Sequence, residues 1–278
     1  MTDLPMTDLA TPTETAPVVA SADRRRPVSA VAWPLLGLAI AVGLWWAVTA
    51  IFDIQTFILP GPDNVVAAYA ALQAELLKQT LSTAVATLLG FGISVVVGAL
   101  IGIALASWRP FERMFQPLLV AFNAVPKVAL APLVLIWFGY GRTPVLAMAF
   151  MVCFFPIVLA TATGLTTTPA DLAELARSMN ASWPQTFLRV RLPAALPQIF
   201  VGLKVGLPLA VIGVVVGEMQ YGGSGLGMII VQTSGQADTA SAFAAIALLS
   251  LVSIVFYYAL VLLERLLLPW VRATTSQR

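Results

Sequence analysis

The sequence predicts an all-α integral membrane protein of about six transmembrane helices. Three observations carry that expectation. First, 59% of the 278 residues are hydrophobic and only 10% are charged, against roughly 25% charged in ordinary soluble domains, and the mean hydropathy is +0.92. Second, the charges are clustered, so that runs such as 81–106 and 144–165 hold no Asp, Glu, Lys or Arg, and each run exceeds the roughly 20 residues that cross a bilayer core. Third, the basic residues fall in alternate connections, which is the pattern of a multi-pass chain.

Six apolar segments follow one another: Ala32–Phe52, Leu81–Ala106, Phe115–Phe138, Pro144–Leu165, Gln198–Gly217 and Thr239–Leu263. Backbone groups in lipid must be paired within their own segment, so each is expected to be helical. Residues 1–31 are rich in Thr, Ala, Pro and Asp and close on Arg24, Arg25 and Arg26. They read as a disordered cytoplasmic tail. A cleaved leader is the competing reading, but the apolar run after the arginines is long and lacks an evident small-residue cleavage site. The membrane domain is then 32–268, with a polar loop at 166–197, and residues 269–278 form a C-terminal tail. The connection 53–80 carries Asp53, Asp63 and Glu75 against Lys78, whereas Arg109, Arg113, Arg177, Arg189, Arg191, Arg265, Arg272 and Arg278 lie in the other connections and the C-terminal tail. Placing both termini in the cytoplasm puts all of these arginines inside, with Arg142 as the exception. Trp45, Trp46 and Trp108 fit interfacial anchors, although core packing also suits Trp45 and Trp46.

Several chemistries are excluded. There is no histidine, and the single cysteine, Cys153, sits in an apolar run, so a disulfide framework, a metal site and a bound cofactor are not expected. No Gly-x-x-x-x-Gly-Lys-Ser/Thr phosphate loop is present, a fused ATPase is not expected at this length, and nothing suggests a nucleic-acid partner. Prolines 126, 132, 156 and 208 fall inside the spans. They suit kinked, mobile helices, and equally the general tolerance of membrane helices for proline.

The loop 166–197 is too polar to span and is strongly patterned. Thr168 is a candidate N-cap with Pro169 at the first helical position and Asp171 completing a capping box. Leu172, Leu175, Ala176 and Met179 then share one helical face. Asn180 readily adopts the left-handed conformation that ends a helix. Ser182-Trp183-Pro184-Gln185 begins a second short helix that Pro193 and Pro197 should limit. Such a surface helix suits docking into a groove of another protein, or lying on the lipid surface.

Glu174-Leu175-Ala176, then Asn180, then Val190-Arg191-Leu192-Pro193 resemble the motif Glu-Ala-Ala, three residues, Gly, nine residues, Ile-x-Leu-Pro of the permease subunits of binding-protein-dependent ABC importers. The spacing agrees throughout, with Leu175, Asn180 and Val190 as departures in identity. Phe57-Ile58-Leu59-Pro60, the run from Pro126 to Pro132, Trp137-Phe138-Gly139, Gly217-Glu218 and Gly225-Leu226-Gly227 further resemble the branch serving nitrate, sulfonates, taurine, riboflavin or the thiamine pyrimidine precursor.

The resemblance implies a non-catalytic permease of the bacterial inner membrane. Its implied partners are a pair of cytoplasmic ATP-binding subunits, a second permease chain forming a homodimer, an extracytoplasmic solute-binding protein and the lipid bilayer. The ATPase-coupling residues it implies are Asp171, Leu172, Glu174, Leu175, Ala176, Met179, Asn180, Ala181, Leu192 and Pro193. Charges inside a membrane are functional candidates, which singles out Lys127, near mid-membrane, and Glu218, at the end of the fifth span, for the pathway. The competing reading for Lys127 is a contact with a backbone carbonyl, or with a neighbouring chain, where the prolines break the span. Lys204 is expected to snorkel to the cytoplasmic interface, and the glycines after Glu218 to give flexible backbone near an outer gate or a bend under the binding protein. An ATPase-independent secondary transporter or channel is the alternative function. It predicts acidic residues within the spans, and this sequence has few.

Overall fold

The computed structural model describes residues 27–167, 170–221 and 223–270. The expected caps at Thr168 and Pro169, the side chain of Asp171, and the tails 1–26 and 271–278 lie outside the described residues. Every regular element among the described residues is helical. Among the described residues five helices are long and apolar enough to cross a membrane, or six if a pair of helices bent against each other by 81° is counted as one span.

The chain divides at Trp45 and Trp46 into two units. The first supplies most of α1 (Pro27–Ile51), which starts at Pro27 and not at Ala32, since proline with its preset φ is favoured in a first helical turn. In the second unit, the connection read as a loop contains α2 (Pro62–Ala71). It also contains the first turns of α3 (Gln73–Ser107). At 35 residues, α3 is about 52 Å long and outruns the hydrocarbon core, so its polar start at Glu75, Lys78 and Gln79 projects beyond it.

The expected continuous span Phe115–Phe138 is broken. α4 (Arg109–Ala124) ends at Val125, whose extended backbone (φ −68°, ψ 129°) is what a residue preceding proline adopts. A 3₁₀ turn, Lys127–Leu130, follows Pro126, and Pro132 sits in the first turn of α5 (Ala131–Phe138). α6 (Arg142–Thr166) is unbroken. The loop 166–197 contains α7 (Ala170–Ser178) and the short α8 (Trp183–Thr186). Pro193 and Pro197 do not stop the second helix there. A π-helical turn, Phe187–Arg191, closed by the Leu192 N–H on the Phe187 carbonyl, leads into α9 (Leu192–Tyr221). Pro193 thus stands in the first turn of α9, where the wider π turn has already opened the ladder and its missing N–H breaks little. α10 (Leu226–Gly235) and α11 (Thr239–Leu267) complete the fold.

The centre of the second unit is α6, packed between α3 and α9. Without a hydrophobic driving force in lipid, helices adhere by close van der Waals approach across small residues. Gly90, Ser94, Gly98 and Gly102 recur every fourth residue on α3 and are all buried. A Cβ at Gly90 or at Gly102 would stand 2.5 Å from the Cβ of Ala149 or of Thr161 on α6. From α9, a Cβ at Gly213 would come within 2.7 Å of both Ala149 Cα and the Met148 carbonyl, and one at Gly217 within 2.8 Å of Val145 Cα. Buried hydroxyls are satisfied along their own helices: Thr87 donates to the Thr83 carbonyl, Ser94 to Gly90 and Thr161 to Ile157, each at 2.8 Å. α11 is joined to α9 by an ion pair, Lys204 Nζ to Glu264 Oε2 at 2.6 Å. Lys204 therefore finds a carboxylate beside it, and both side chains are only 22% exposed.

Because the obstacles at Gly213 are backbone atoms that cannot swing away, Gly213→Val should cost about 1–3 kcal/mol or more. Gly92, with nothing within 4 Å of its would-be Cβ, should accept alanine. Thermal unfolding of the two variants in detergent checks this, and equal melting of Gly213→Val and wild type would refute the packing.

Candidate functional site

The two ends of α9 carry different constructions. At its N-terminal end, α7 finishes in a bond pattern set by Asn180. The Ala181 N–H reaches back five residues to the Ala176 carbonyl at 3.0 Å, the Met179 N–H bonds Leu175 at 3.2 Å, and Asn180 takes the left-handed conformation at φ 54°. The chain then re-enters helix through a capping box in which the Ser182 N–H donates to Gln185 Oε1 at 2.8 Å. The Trp183 ring stacks on Phe187 with centroids 5.3 Å apart. Two tight caps and one aromatic stack make this helix-turn-helix a shaped projection.

The predicted loop residues separate into two groups. Leu172, Leu175 and Met179 are 44%, 58% and 75% exposed. They stand with exposed Glu174 and Asn180. Ala176 is buried at the base of α7, Ala181 is half-buried in the turn, and Leu192 and Pro193 are half-buried in the first turn of α9. Exposed leucines on a capped helix form an apolar surface that nothing else in the described chain covers.

Lys127 lies at the broken third span. Its ammonium donates to the Asn123 carbonyl at 3.1 Å and to Asn123 Oδ1 at 2.9 Å. Phe115 and Leu119 of α4 pack against Leu105, Phe154 and Val158, whereas Ala131 of α5 packs with Val134 and Met148. Along α6, Met148 and Phe154 stand about 9 and 18 Å from Arg142 at 1.5 Å per residue. The break and Lys127 lie in the chain between the segment packed near Phe154 and the one packed near Met148. Tyr221 fixes the following helix by donating its hydroxyl to the Ala131 carbonyl at 2.8 Å.

At the other end of α9, about 39 Å from Leu192 along the helix, Glu218 is 3% exposed. The buried Thr83 hydroxyl approaches its two oxygens at 2.8 and 3.0 Å. The Gly227 N–H donates to its Oε2 at 2.9 Å. The glycine-rich segment read as flexible is pinned around this carboxylate. Gly225 holds φ +102°, and a Cβ there would collide with the Glu218 carboxyl group. Sequence reasoning missed Gln79 and Thr83, whose role depends on residues 146 and 135 positions away.

Residues 94–272 match the family described as binding-protein-dependent transport system inner membrane component. The chain belongs to this family. The permease is 38% identical over 263 residues to the riboflavin transport system permease protein RibX of Chloroflexus aurantiacus, covering 92% of this chain and 98% of that one. It is 36% identical over 226 residues to the formylaminopyrimidine transport permease protein ThiX of Halalkalibacterium halodurans, covering 81% and 90%. Its fold is shared with a solved inward-facing structure of the MetNI methionine ABC transporter, with a TM-score of 0.56 at 19% identity over 68% of this chain and 98% of that chain. The permease is accordingly a multi-pass membrane subunit of an ABC importer, and its family is a non-catalytic one.

Proposed function

We propose that this permease couples ATP hydrolysis on separate cytoplasmic subunits to the entry of a small solute, with residues 166–197 as the coupling loop. The observation that carries this reading is the row Leu172, Leu175 and Met179, exposed on a helix whose end is fixed by Asn180 and Ser182. An amphipathic helix of this kind seats in a groove of a partner protein. Glu174, exposed beside that row, supplies a charge for the partner. The loop continues through the π turn into a single helical path, Trp183–Tyr221, so displacement of α7 by an ATPase pair is carried along α9 as a rigid-body shift.

In this reading both termini are cytoplasmic, because that orientation brings the arginine-rich connections inside. A second copy of the chain completes the pathway, and an extracytoplasmic binding protein delivers the solute. The names of RibX and ThiX favour a small heteroaromatic solute such as a flavin or a pyrimidine, with sulfonate-like or taurine-like anions as the wider class. Lys127, at the break in the third span beside an exposed stretch of backbone, is positioned to meet an anionic or carbonyl-bearing group of that solute.

Glu174→Arg should abolish co-purification of the ATPase subunit while leaving permease abundance unchanged, and undiminished co-purification would rule out this docking surface. Lys127→Gln should lower solute uptake about tenfold at equal abundance, with ATPase co-purification intact. Uptake equal to wild type would remove Lys127 from the pathway.

A further inference from the structure

The start of α10 is capped in an unusual way. A helix leaves its first N–H groups without partners, and these are ordinarily satisfied by a nearby side chain or by water. Here the nearby residues are Gly223, Ser224 and Gly225, and no local side-chain cap is made. Instead, three successive N–H groups are taken by side chains of two other helices. The Gly225 N–H donates to Gln79 Oε1 at 2.5 Å, the Leu226 N–H to Thr83 Oγ1 at 2.9 Å and the Gly227 N–H to Glu218 Oε2 at 2.9 Å. Gln79 is itself oriented by donating its amide to Glu75 Oε1 at 2.6 Å, and the Thr83 hydroxyl donates to Glu218. Gln79, Thr83 and Glu218 are 6%, 0% and 3% exposed. A buried N–H left without an acceptor is costly, so the loss of these side chains would be felt at the start of α10. The carboxylate also lies where the positive end of the α10 dipole favours negative charge.

We infer that Glu218, with Thr83 and Gln79, is a positioning residue for transport: it clamps the start of α10 to α3 and α9, so that these three elements move as one block through the transport cycle. Glu218 is then a clamp and not a contact for the solute. Its carboxylate accepts from the Thr83 hydroxyl and the Gly227 N–H, and Gly225 and Gly227 are packed against it with no room for a Cβ. The relative motion that alternates access falls elsewhere, at elements free of such a clamp. The broken third span is one, since most of residues 121–129 are exposed and α4 contains no buried residue. The inference concerns the end of the molecule opposite the coupling loop and stands apart from the docking reading.

Ser82 and Ser224 sit at the edge of the clamp with their hydroxyl oxygens 3.2 Å apart, which places them to form a reporter disulfide. In the complete transporter, S82C/S224C treated with copper phenanthroline should cross-link and keep uptake within about twofold of the same protein reduced by dithiothreitol. Failure to cross-link, or a loss of about tenfold that reduction reverses, would overturn the single block. Glu218→Ala should lose about tenfold or more in uptake at equal abundance while still co-purifying the ATPase. Oxidising S82C/S224C in that background should restore most of the loss, because a covalent link replaces the clamp. A solute-contacting carboxylate would show no such rescue, and absence of rescue, or wild-type uptake by Glu218→Ala, would contradict the assignment. Should Glu218→Ala prove poorly folded, Glu218→Gln, which keeps one acceptor for Gly227, is expected to retain more uptake than alanine and to show the same redox rescue.

Discussion

The close approach of α3, α6 and α9 across small residues holds the second unit together. At Gly90, Gly102, Gly213 and Gly217 the helices come so near that one added carbon would overlap atoms of the neighbour. Contact at this range makes the dispersion attraction large in aggregate and leaves no room for sliding. The three helices therefore act as a frame, and polar groups within it are satisfied internally, as Thr87, Ser94 and Thr161 show by bonding back along their own helices. Each functional construction hangs on an end of this frame. The projecting loop enters α9 at Leu192, and the Glu218 clamp closes the far end of the same helix.

That arrangement divides the chain into parts held tightly and parts held loosely. α9 is continuous from the π turn to Tyr221, so the loop at its start and the clamp at its end stand on one helix. α4 and α5 differ. They are separated by an 81° bend, meet the frame through separate apolar clusters, and leave the break around Lys127 open. Prolines 126 and 132 remove the N–H groups that would have stiffened this junction. A transporter needs both a frame and something to move against it, and the distribution of glycine and proline supplies the two.

Much of this was legible in the sequence, for identifiable reasons. Uninterrupted apolar runs report membrane helices directly, because no other element satisfies its backbone in lipid. Asn180 and the Ser182–Gln185 pair could be read because capping is local chemistry, decided within a few residues. The break in the third span was only partly visible: Pro126 and Pro132 were plain, but whether such prolines kink a span or fold it depends on what the neighbouring helices cover. Pro193 misled, since a π turn before it absorbed the disruption that proline usually causes. The clamp could not be read at all, because Gln79 and Thr83 are ordinary polar residues until the fold brings them beside a turn near Gly225. The glycine stripe on α3 was available by counting in fours from Gly90 to Gly102.

In the proposed mechanism this chain is a pathway driven from outside itself through the loop at 166–197. That mechanism is tested most directly by measuring solute uptake into proteoliposomes holding the permease with and without its ATPase subunits, given the loaded binding protein and ATP. Uptake is expected only when the ATPase subunits and ATP are both present. Uptake by the permease alone, driven by a proton or sodium gradient, would contradict it.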